Sequence, residues 1–181
     1  YPMGGESFAN NQTERVRWDA FDQSGTFSLS YSTDAGTSWN FISSSIPGSQ
    51  RYYDWTPPST INSGQVKMKI ERGGFADVSD ITFTVIGVPT GLVCDTACAD
   101  VFHLSWNAVG IADSYIVYML GAKYMDSIAI TSTNDIYLTS GVNMIDTFYF
   151  AVAAVNSTNG AKGRRCVAYM KLPGEINCLD D

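Results

Sequence analysis

Apolar and polar residues alternate at every second position in short runs along the whole chain, and Gly, Ser, Asn, Asp and Pro bound these runs. A period of two is the pattern of a β-strand with one buried face, whereas a helix repeats every 3.6 residues. Helical periodicity is nearly absent. The alternation therefore predicts an all-β protein, with strands in the first half at 16–20, 27–31, 66–70 and 81–85.

The second half of the chain repeats the pattern after a short Gly- and Pro-containing segment, 87–91. Gly and Pro interrupt regular structure, so we place a domain boundary there and predict domains at 1–87 and 88–181. Each half is long enough to bury its own core. The expected architecture is two consecutive immunoglobulin-like β-sandwiches. The predicted strands of the second half lie at 91–94, 101–106, 114–120, 124–131, 135–139, 147–156 and 163–171.

Three runs in the second half carry a family resemblance: 104–106, 114–118 and 148–156. Together they resemble the second, third and sixth strands of a fibronectin type III domain, and the resemblance covers most of residues 89–172. The chain departs from that family at Phe148, where a Tyr is usual and its hydroxyl would bond back to the chain. The resemblance implies that the second domain is fibronectin type III-like.

One turn in the first half has a recognisable composition, formed by Ser32, Asp34, Gly36, Ser38 and Trp39. It resembles the Asp-box turn of sialidase-type propellers and of many secreted β domains, with Ser38 in place of Thr. In such a turn the Asp accepts backbone N–H bonds and the Gly permits a positive φ. A single copy cannot build a propeller, which needs several blades, so we interpret it as a folding device.

The combination of an Asp-box sandwich with a fibronectin-like domain, including the segment 120–126, resembles accessory modules of large secreted bacterial proteins. Examples are subtilisin-like proteases and the surface adhesins exported by gliding-type bacteria. The resemblance implies a secreted or cell-surface location and a structural role within a larger assembly. It implies no chemistry, because none of the matched motifs is catalytic.

Composition and charge exclude two classes of partner. The chain of 181 residues has 11 Lys and Arg against 18 Asp and Glu, a formal net charge of −7. A negative chain is a poor binder of nucleic acid or of an anionic membrane. No apolar run reaches the roughly 18 residues that a membrane span requires, so membrane insertion is not expected. Because the chain opens at Tyr1 without a signal peptide, we interpret it as a mature or excised piece of a longer precursor.

Four cysteines occur, all in the second half: Cys94, Cys98, Cys166 and Cys178. An even set in a secreted protein predicts two disulfides, and four cysteines allow three pairings. We favour Cys94 with Cys166 and Cys98 with Cys178, because the first and last strands of such a sandwich can become neighbours. Pairing of each cysteine with its nearest neighbour in sequence is the alternative. A four-thiolate zinc site fits poorly, since it usually contains two tight Cys-x-x-Cys pairs.

No catalytic residue is predicted. His103, the single histidine, should face outward on a strand between the inward-facing Phe102 and Leu104. No nucleophile elbow, zinc-protease motif or phosphate-binding loop occurs. Most carboxylates fall in predicted turns, where Asp serves as a turn former. We expect no cofactor and no metal site, with structural calcium at one of these turns as the alternative.

The second domain contains an anomaly on its outer surface. If the fibronectin register places Tyr115, Val117, Phe150 and Val152 in the core, their neighbours in sequence face out and are also apolar. An antiparallel sheet usually alternates apolar and polar residues, so an apolar outer face indicates contact with another surface. The predicted interface residues are Ile116, Tyr118, Leu120, Tyr149, Ala151 and Ala153.

These observations predict a noncatalytic extracellular module that acts as a spacer or as a subunit contact, including in a filament. Its partners would be other domains of the parent chain or further copies of itself. The alternative is a carbohydrate-binding accessory module of a secreted hydrolase, in which Tyr52 and Trp55 would stack on a polysaccharide. Stacking requires that both rings face solvent, whereas alternation along 52–55 favours a buried Trp55.

Overall fold

The structure is a computed structural model that describes residues 1–98, 101–139 and 147–172, with side chains from 95 to 98 not described. It divides into two compact units. Unit 1 comprises Tyr1–Gly87 together with Asn156–Gly163, and unit 2 comprises Val88–Val155 with the chain from Arg164 onward. Every regular element in the described residues is a strand, as the alternation predicts. No helix in this part of the chain is long and apolar enough to span a membrane.

Unit 1 is a sandwich of two unequal sheets. The larger sheet has the strand order β1-β8-β6-β3-β4, with β7 also paired to β6, and the smaller one joins β2 to β5. All pairings are antiparallel except β1 with β8. The strands are β1 (Ser7–Phe8), β2 (Glu14–Arg17), β3 (Thr26–Ser32), β4 (Asn40–Pro47), β5 (Tyr52–Trp55), β6 (Ser63–Arg72), β7 (Phe75–Val78) and β8 (Phe83–Val85).

The core of unit 1 lies between these sheets and is rich in aromatic rings. Phe8, Trp55 and Phe83 meet near its centre, with ring centroids of Phe8 and Phe83 5.0 Å apart. Val66 and Val85 are fully buried beside them. Burial of such side chains contributes about 1.5–3 kcal/mol each. Inward residues alternate with outward polar ones along β2 and β6, which is why a period of two appears in the sequence.

Unit 2 is a sandwich of two antiparallel sheets. One has the order β13-β10-β9, and the other has the order β12-β11-β14-β15, with β16 also paired to β14. The strands are β9 (Thr90–Cys98), β10 (Val101–Asn107), β11 (Ser114–Leu120), β12 (Met125–Thr131), β13 (Asp135–Leu138), β14 (Phe148–Asn156), β15 (Ala161–Arg165) and β16 (Tyr169–Lys171).

The core of unit 2 has the register that the sequence predicts. Tyr115 pairs with Ala154 and Val117 with Val152 across β11 and β14, and all four side chains are buried. Phe102 packs against Phe150 from the opposite sheet, with ring centroids 5.9 Å apart. The inner faces of the two sheets therefore interlock around large apolar side chains.

Two strand predictions need correction. The predicted strand 16–20 is shorter and starts earlier, as β2 (Glu14–Arg17), and the Trp18 backbone N–H makes the last bond in the β2–β5 register, to the Arg51 carbonyl. The predicted strand 163–171 is two strands, β15 and β16, separated at Cys166. A further difference concerns the turn between β14 and β15: its Asn159 side chain donates to the Asn62 carbonyl at 2.7 Å within unit 1, although we assigned it to the second domain.

Candidate interaction surface

The outward face of the larger sheet in unit 2 is apolar along two neighbouring strands. Ile116 on β11 lies opposite Ala153 on β14, and Tyr118 lies opposite Ala151. These residues alternate with the core residues of the same strands, so they point away from the core. We call this surface the outer face. It comprises Ile116, Tyr118, Leu120, Tyr149, Ala151 and Ala153, together with Ile128 and Ile130 of β12.

Two predicted interface residues are already covered, so the prediction is wrong for them. Ala151 is 2% exposed and Ala153 is 0% exposed, so neither offers surface to a partner. Both carry a single methyl group between larger neighbours. Arg165, on β15 at the other side of β14, places its guanidinium 5.2 Å from the centre of the Tyr118 ring and so reaches across β14. The centre of the outer face is therefore covered by its own side chains.

The exposed part of the outer face lies toward β12, the end strand of this sheet. Ile130 lies opposite Ile116 and is 70% exposed, and Ile128 and Leu120 are exposed as well. Sequence reasoning missed both isoleucines. The signal was present in the run 128–130, where isoleucines flank an alanine, but it was not connected to the faces of the neighbouring strands. Ile116, Tyr118 and Tyr149 remain half-buried.

The Asp-box turn connects β3 to β4, and its side chains form a closed hydrogen-bond network. The Ser32 hydroxyl donates to Asp34 Oδ1 at 2.6 Å, and the Ser38 hydroxyl donates to Asp34 Oδ2 at 2.5 Å. The backbone N–H of Ser38 also donates to Asp34 Oδ1, and that of Gly36 donates to the Ser32 hydroxyl. These bonds hold the pKa of Asp34 at about 2, the Ser32 hydroxyl contributing most.

Backbone geometry explains the glycine in this turn. Gly36 has φ +96°, a conformation that L side chains rarely adopt, and a Cβ there would lie 3.4 Å from the Trp39 ring. Trp39 is half-buried and holds the Lys69 ammonium 4.7 Å from its ring centre. The side chains of Ser32, Asp34 and Ser38 bond within the turn, and the turn backbone bonds to Ser63 and Gln65, which supports a role in folding.

The predicted glycan-stacking pair does not form a platform. Trp55 is buried in the core of unit 1, where its ring centroid lies 5.2 Å from that of Tyr31. Tyr52 is exposed, but the Arg15 guanidinium lies 4.2 Å from its ring centre, and Arg15 also binds Asp54 through two hydrogen bonds. Because successive strand residues face opposite ways, Tyr52 and Trp55 cannot present coplanar rings to one sugar chain.

His103 lies on the outward face of β10, as alternation predicts. Its ring stacks on Tyr137 of β13 at a centroid distance of 4.3 Å, and its Nε2 lies 3.4 Å from Asp135 Oδ2. Phe102 and Leu104 on either side are fully buried. The ring of His103 therefore lies on the outer surface of the sheet, between a tyrosine ring and a carboxylate.

The structure contains no disulfide between Cys94 and Cys166. Strands β9 and β16 do lie beside each other, as we expected, but Cys166 precedes β16. Its Sγ accepts a hydrogen bond from the Val152 N–H at 3.2 Å, and its own N–H donates to the Val152 carbonyl. Burial raises the pKa of the Cys166 thiol. The Cys98 side chain and Cys178 lie outside the described residues, so the second pairing stays a prediction.

Among the side chains that the structure describes, no group of three or more His, Cys, Asp or Glu residues could hold a metal ion. The carboxylate of the Asp-box turn is bonded to serine hydroxyls and a backbone N–H instead. Structural calcium therefore stays an untested alternative.

Comparison with solved structures identifies the fold. A two-domain fibronectin type III segment of chicken tenascin superimposes with a TM-score of 0.50 and 15% identity, over 92% of this chain and 95% of that one. An Fn3-like protein of Clostridium thermocellum matches 51% of this chain and 95% of its own at 24% identity, with a TM-score of 0.42. The chain therefore has the fold of tandem fibronectin type III-like sandwiches. No protein-family model and no curated protein matches it.

Proposed function

We propose that the chain is a noncatalytic structural and adhesive module of an extracellular assembly, and that it contacts a second copy of itself through the outer face and the edge of β12. The observation that carries the proposal is the exposed isoleucine pair, Ile128 and Ile130, on an end strand beside the apolar face. Tandem sandwiches of this fold serve widely as spacers, which supports the role but gives no partner.

The composition of β12 favours a second copy as partner. Between Met125 and Thr131 the strand has one charged residue, Asp126, which is its second residue, and it has no Lys or Pro. Edge strands that stay single usually carry such residues, because unpaired N–H and C=O groups otherwise pair with another chain. An antiparallel pairing of two β12 strands about a twofold axis would place identical isoleucines beside each other.

Such a contact would join the larger sheet of unit 2 in one copy to the same sheet in the other copy, as one continuous sheet. Its apolar side would extend from Leu120 and Ile116 of one copy, over the paired β12 strands, to the same residues of the other. Burial of this surface supplies the free energy, and the backbone bonds supply the register. A module that dimerises in this way would link two parent proteins.

The experiment is sedimentation equilibrium of the full chain over a concentration series, with Ile130→Lys and Ile111→Lys compared. Ile130 and Ile111 are both in unit 2 and similarly exposed, at 70% and 64%, but Ile111 lies in the loop between β10 and β11 and not on β12. We expect the dimerisation Kd to rise about tenfold or more for Ile130→Lys, because two ammonium groups, one from each copy, would replace apolar side chains at the contact. Ile111→Lys should leave it unchanged. A monomer at all concentrations, or equal effects of both variants, contradicts the proposal.

A further inference from the structure

Unit 1 contains an open groove between the β6–β7 hairpin and the segment 18–22 that follows β2. It consists of two adjoining cavities of about 220 and about 310 Å³, which share Trp18, Ile70 and Asp77 in their walls. We call it the hairpin groove. Tyr1, Met3 and Arg17 also line the smaller cavity.

The walls of the hairpin groove combine exposed aromatic rings with carboxylates. Phe75 is 85% exposed and Phe21 is fully exposed, although large apolar side chains are usually buried. Four acidic residues line the same wider cavity against one basic residue, Arg72. These carboxylates are Asp19, Asp22, Glu71 and Asp77. Local charge is therefore negative beside apolar rings.

The chain itself already places one cation in this groove. The Arg72 guanidinium lies 4.5 Å from the centre of the Phe27 ring, and its Nη1 lies 3.1 Å from Asp22 Oδ1. A cation between an aromatic face and a carboxylate gains from both contacts. Asp19 and Asp77, with the rings of Phe21 and Phe75, offer the same combination to a cation from outside, whereas Glu71 is paired with Lys69 at 3.1 Å.

An unpaired strand edge runs along the groove. Among the described strands β7 pairs with β6 alone. The hairpin closes through Gly73 and Gly74, with φ +58° and +86°, so Arg72 and Phe75 form the closing hydrogen-bonded pair. Hydrogen-bonded and non-hydrogen-bonded pairs alternate along an antiparallel ladder, so the N–H groups of Ala76 and Val78 point away from β6. A further strand would bond to these two groups.

We propose that β7 and the hairpin groove bind an extended basic segment of a partner protein as an added strand. The partner backbone bonds to Ala76 and Val78, and its Lys or Arg side chains, at alternate positions, enter the groove beside Asp77 and the Phe75 ring. This site is in unit 1 and is separate from the outer face of unit 2, so each proposal can fail without the other.

Charge decides between a basic segment and an apolar one. Asp77 lies opposite Ile70 in the ladder, on the inward side of the sheet, and is exposed to the groove. An apolar strand added there would bury the Asp77 carboxylate without a partner, which is costly. A basic strand supplies the partner and keeps its charged ends in solvent. The same carboxylates would repel an acidic segment.

The test is a titration of the ¹⁵N-labelled full chain with two heptapeptides that alternate threonine with lysine or threonine with glutamate. We expect the lysine peptide to shift the amide signals of Ala76 and Val78 and the glutamate peptide to leave them unchanged. Raising the salt from 50 to 500 mM should weaken the binding several-fold, since the groove charges are exposed. Failure of the lysine peptide to shift these amides, or equal shifts with both peptides, overturns the proposal.

Two variants separate strand addition from simple charge attraction. Ala76→Pro removes an outward N–H and is compatible with an edge strand, whereas Ala76→Ser keeps the N–H. We expect the proline variant to lose binding and the serine variant to retain it, with thermal unfolding showing that both are folded. Asp77→Asn should weaken binding by about two- to fivefold. Should Ala76→Pro bind as well as wild type, strand addition is wrong. Ala76→Ser and Asp77→Asn keep the backbone N–H groups of β7, so among these variants only Ala76→Pro tests strand addition.

Discussion

The guanidinium of Arg165 lies over the ring of Tyr118, at 5.2 Å from its centre, although β14 separates their two strands. The contact spans the small side chains of β14 and explains how Ala151 and Ala153 are buried on a surface that faces away from the core. It also divides the outer face into a covered centre and an exposed margin on β12.

Replacement of Arg165 by Ala should lower the free energy of unfolding by about 0.5–1 kcal/mol, the usual value of a cation–π contact at an exposed site. Lys162→Ala on the same strand is the matched control, and a surface change of this kind should stay within about 0.5 kcal/mol. Urea unfolding of both variants measures the difference. Equal stabilities of the two variants would show that the contact contributes nothing.

The Asp-box carboxylate should make stability depend on acid pH. Because the pKa of Asp34 is about 2 in the folded chain, below the usual 3.8 of an aspartate, the ionised carboxylate stabilises the fold at higher pH. This contribution is lost as the pH falls toward 2. We expect Asp34→Asn to be less stable than wild type at pH 6 and to show a smaller loss of Tm between pH 5 and 2. Parallel Tm profiles would refute the assignment.

The positive φ of Gly36 should make this turn sensitive to a single methyl group. Gly36→Ala places a Cβ in a conformation that costs about 1–2 kcal/mol. Gly110 has no neighbouring atom within 4 Å of a Cβ and no positive φ, so Gly110→Ala serves as the control and should be neutral or stabilising by up to about 1 kcal/mol. Denaturant midpoints compare them. A neutral Gly36→Ala would mean that the turn adopts another conformation.

Lys171 is 1% exposed, its ammonium donating to the Leu172 carbonyl at 2.8 Å and lying 5.5 Å from the Phe102 ring centre. Its long alkyl chain fills core volume. We expect Lys171→Met, which keeps that volume without the buried charge, to leave stability unchanged or raised, and Lys171→Ala to lower it by at least about 2 kcal/mol. Thermal unfolding at pH 7 distinguishes the two. Large losses in both variants would assign the stability to the ammonium group.

Cys166 should react slowly in the folded, reduced chain. Burial raises the pKa of its thiol, and the thiolate is the form that attacks alkylating reagents. With iodoacetamide at pH 8 we expect modification of Cys166 at least about tenfold slower than in guanidinium chloride, as followed by peptide mass spectrometry. Equal rates in the two solvents would place the thiol at the surface.

The part of the fold that the sequence predicts is the part where burial alternates strictly. Phe102 and Leu104 of β10 face the core and His103 between them faces out, so hydrophobicity alone defines the strand and its register. The positions at which strands end are harder to predict. The break between β15 and β16 begins at Cys166, which bonds to Val152 through its N–H and through its Sγ. Such tertiary hydrogen bonds leave no periodic signal.

Exposure of residues on the interaction surface is hard to predict for a similar reason. An outward position can be predicted from alternation, but its exposure depends on neighbours from other strands. Ala153 is covered although it faces out, while Ile130 is 70% exposed because β12 ends the sheet. The order of strands in the sheet decides the difference, and a local pattern does not contain that order. The same holds for β7, whose open edge follows from the pairing of β6.

The most direct test of the central claim, contact between two copies through β12, is amide hydrogen exchange of the full chain at low and high protein concentration. If two β12 strands pair, the outward amides between Met125 and Thr131 should be protected at the high concentration and exchange freely at the low one. The amides of the β10 strand should be unaffected in both. Exchange in β12 that is identical at the two concentrations would contradict the account.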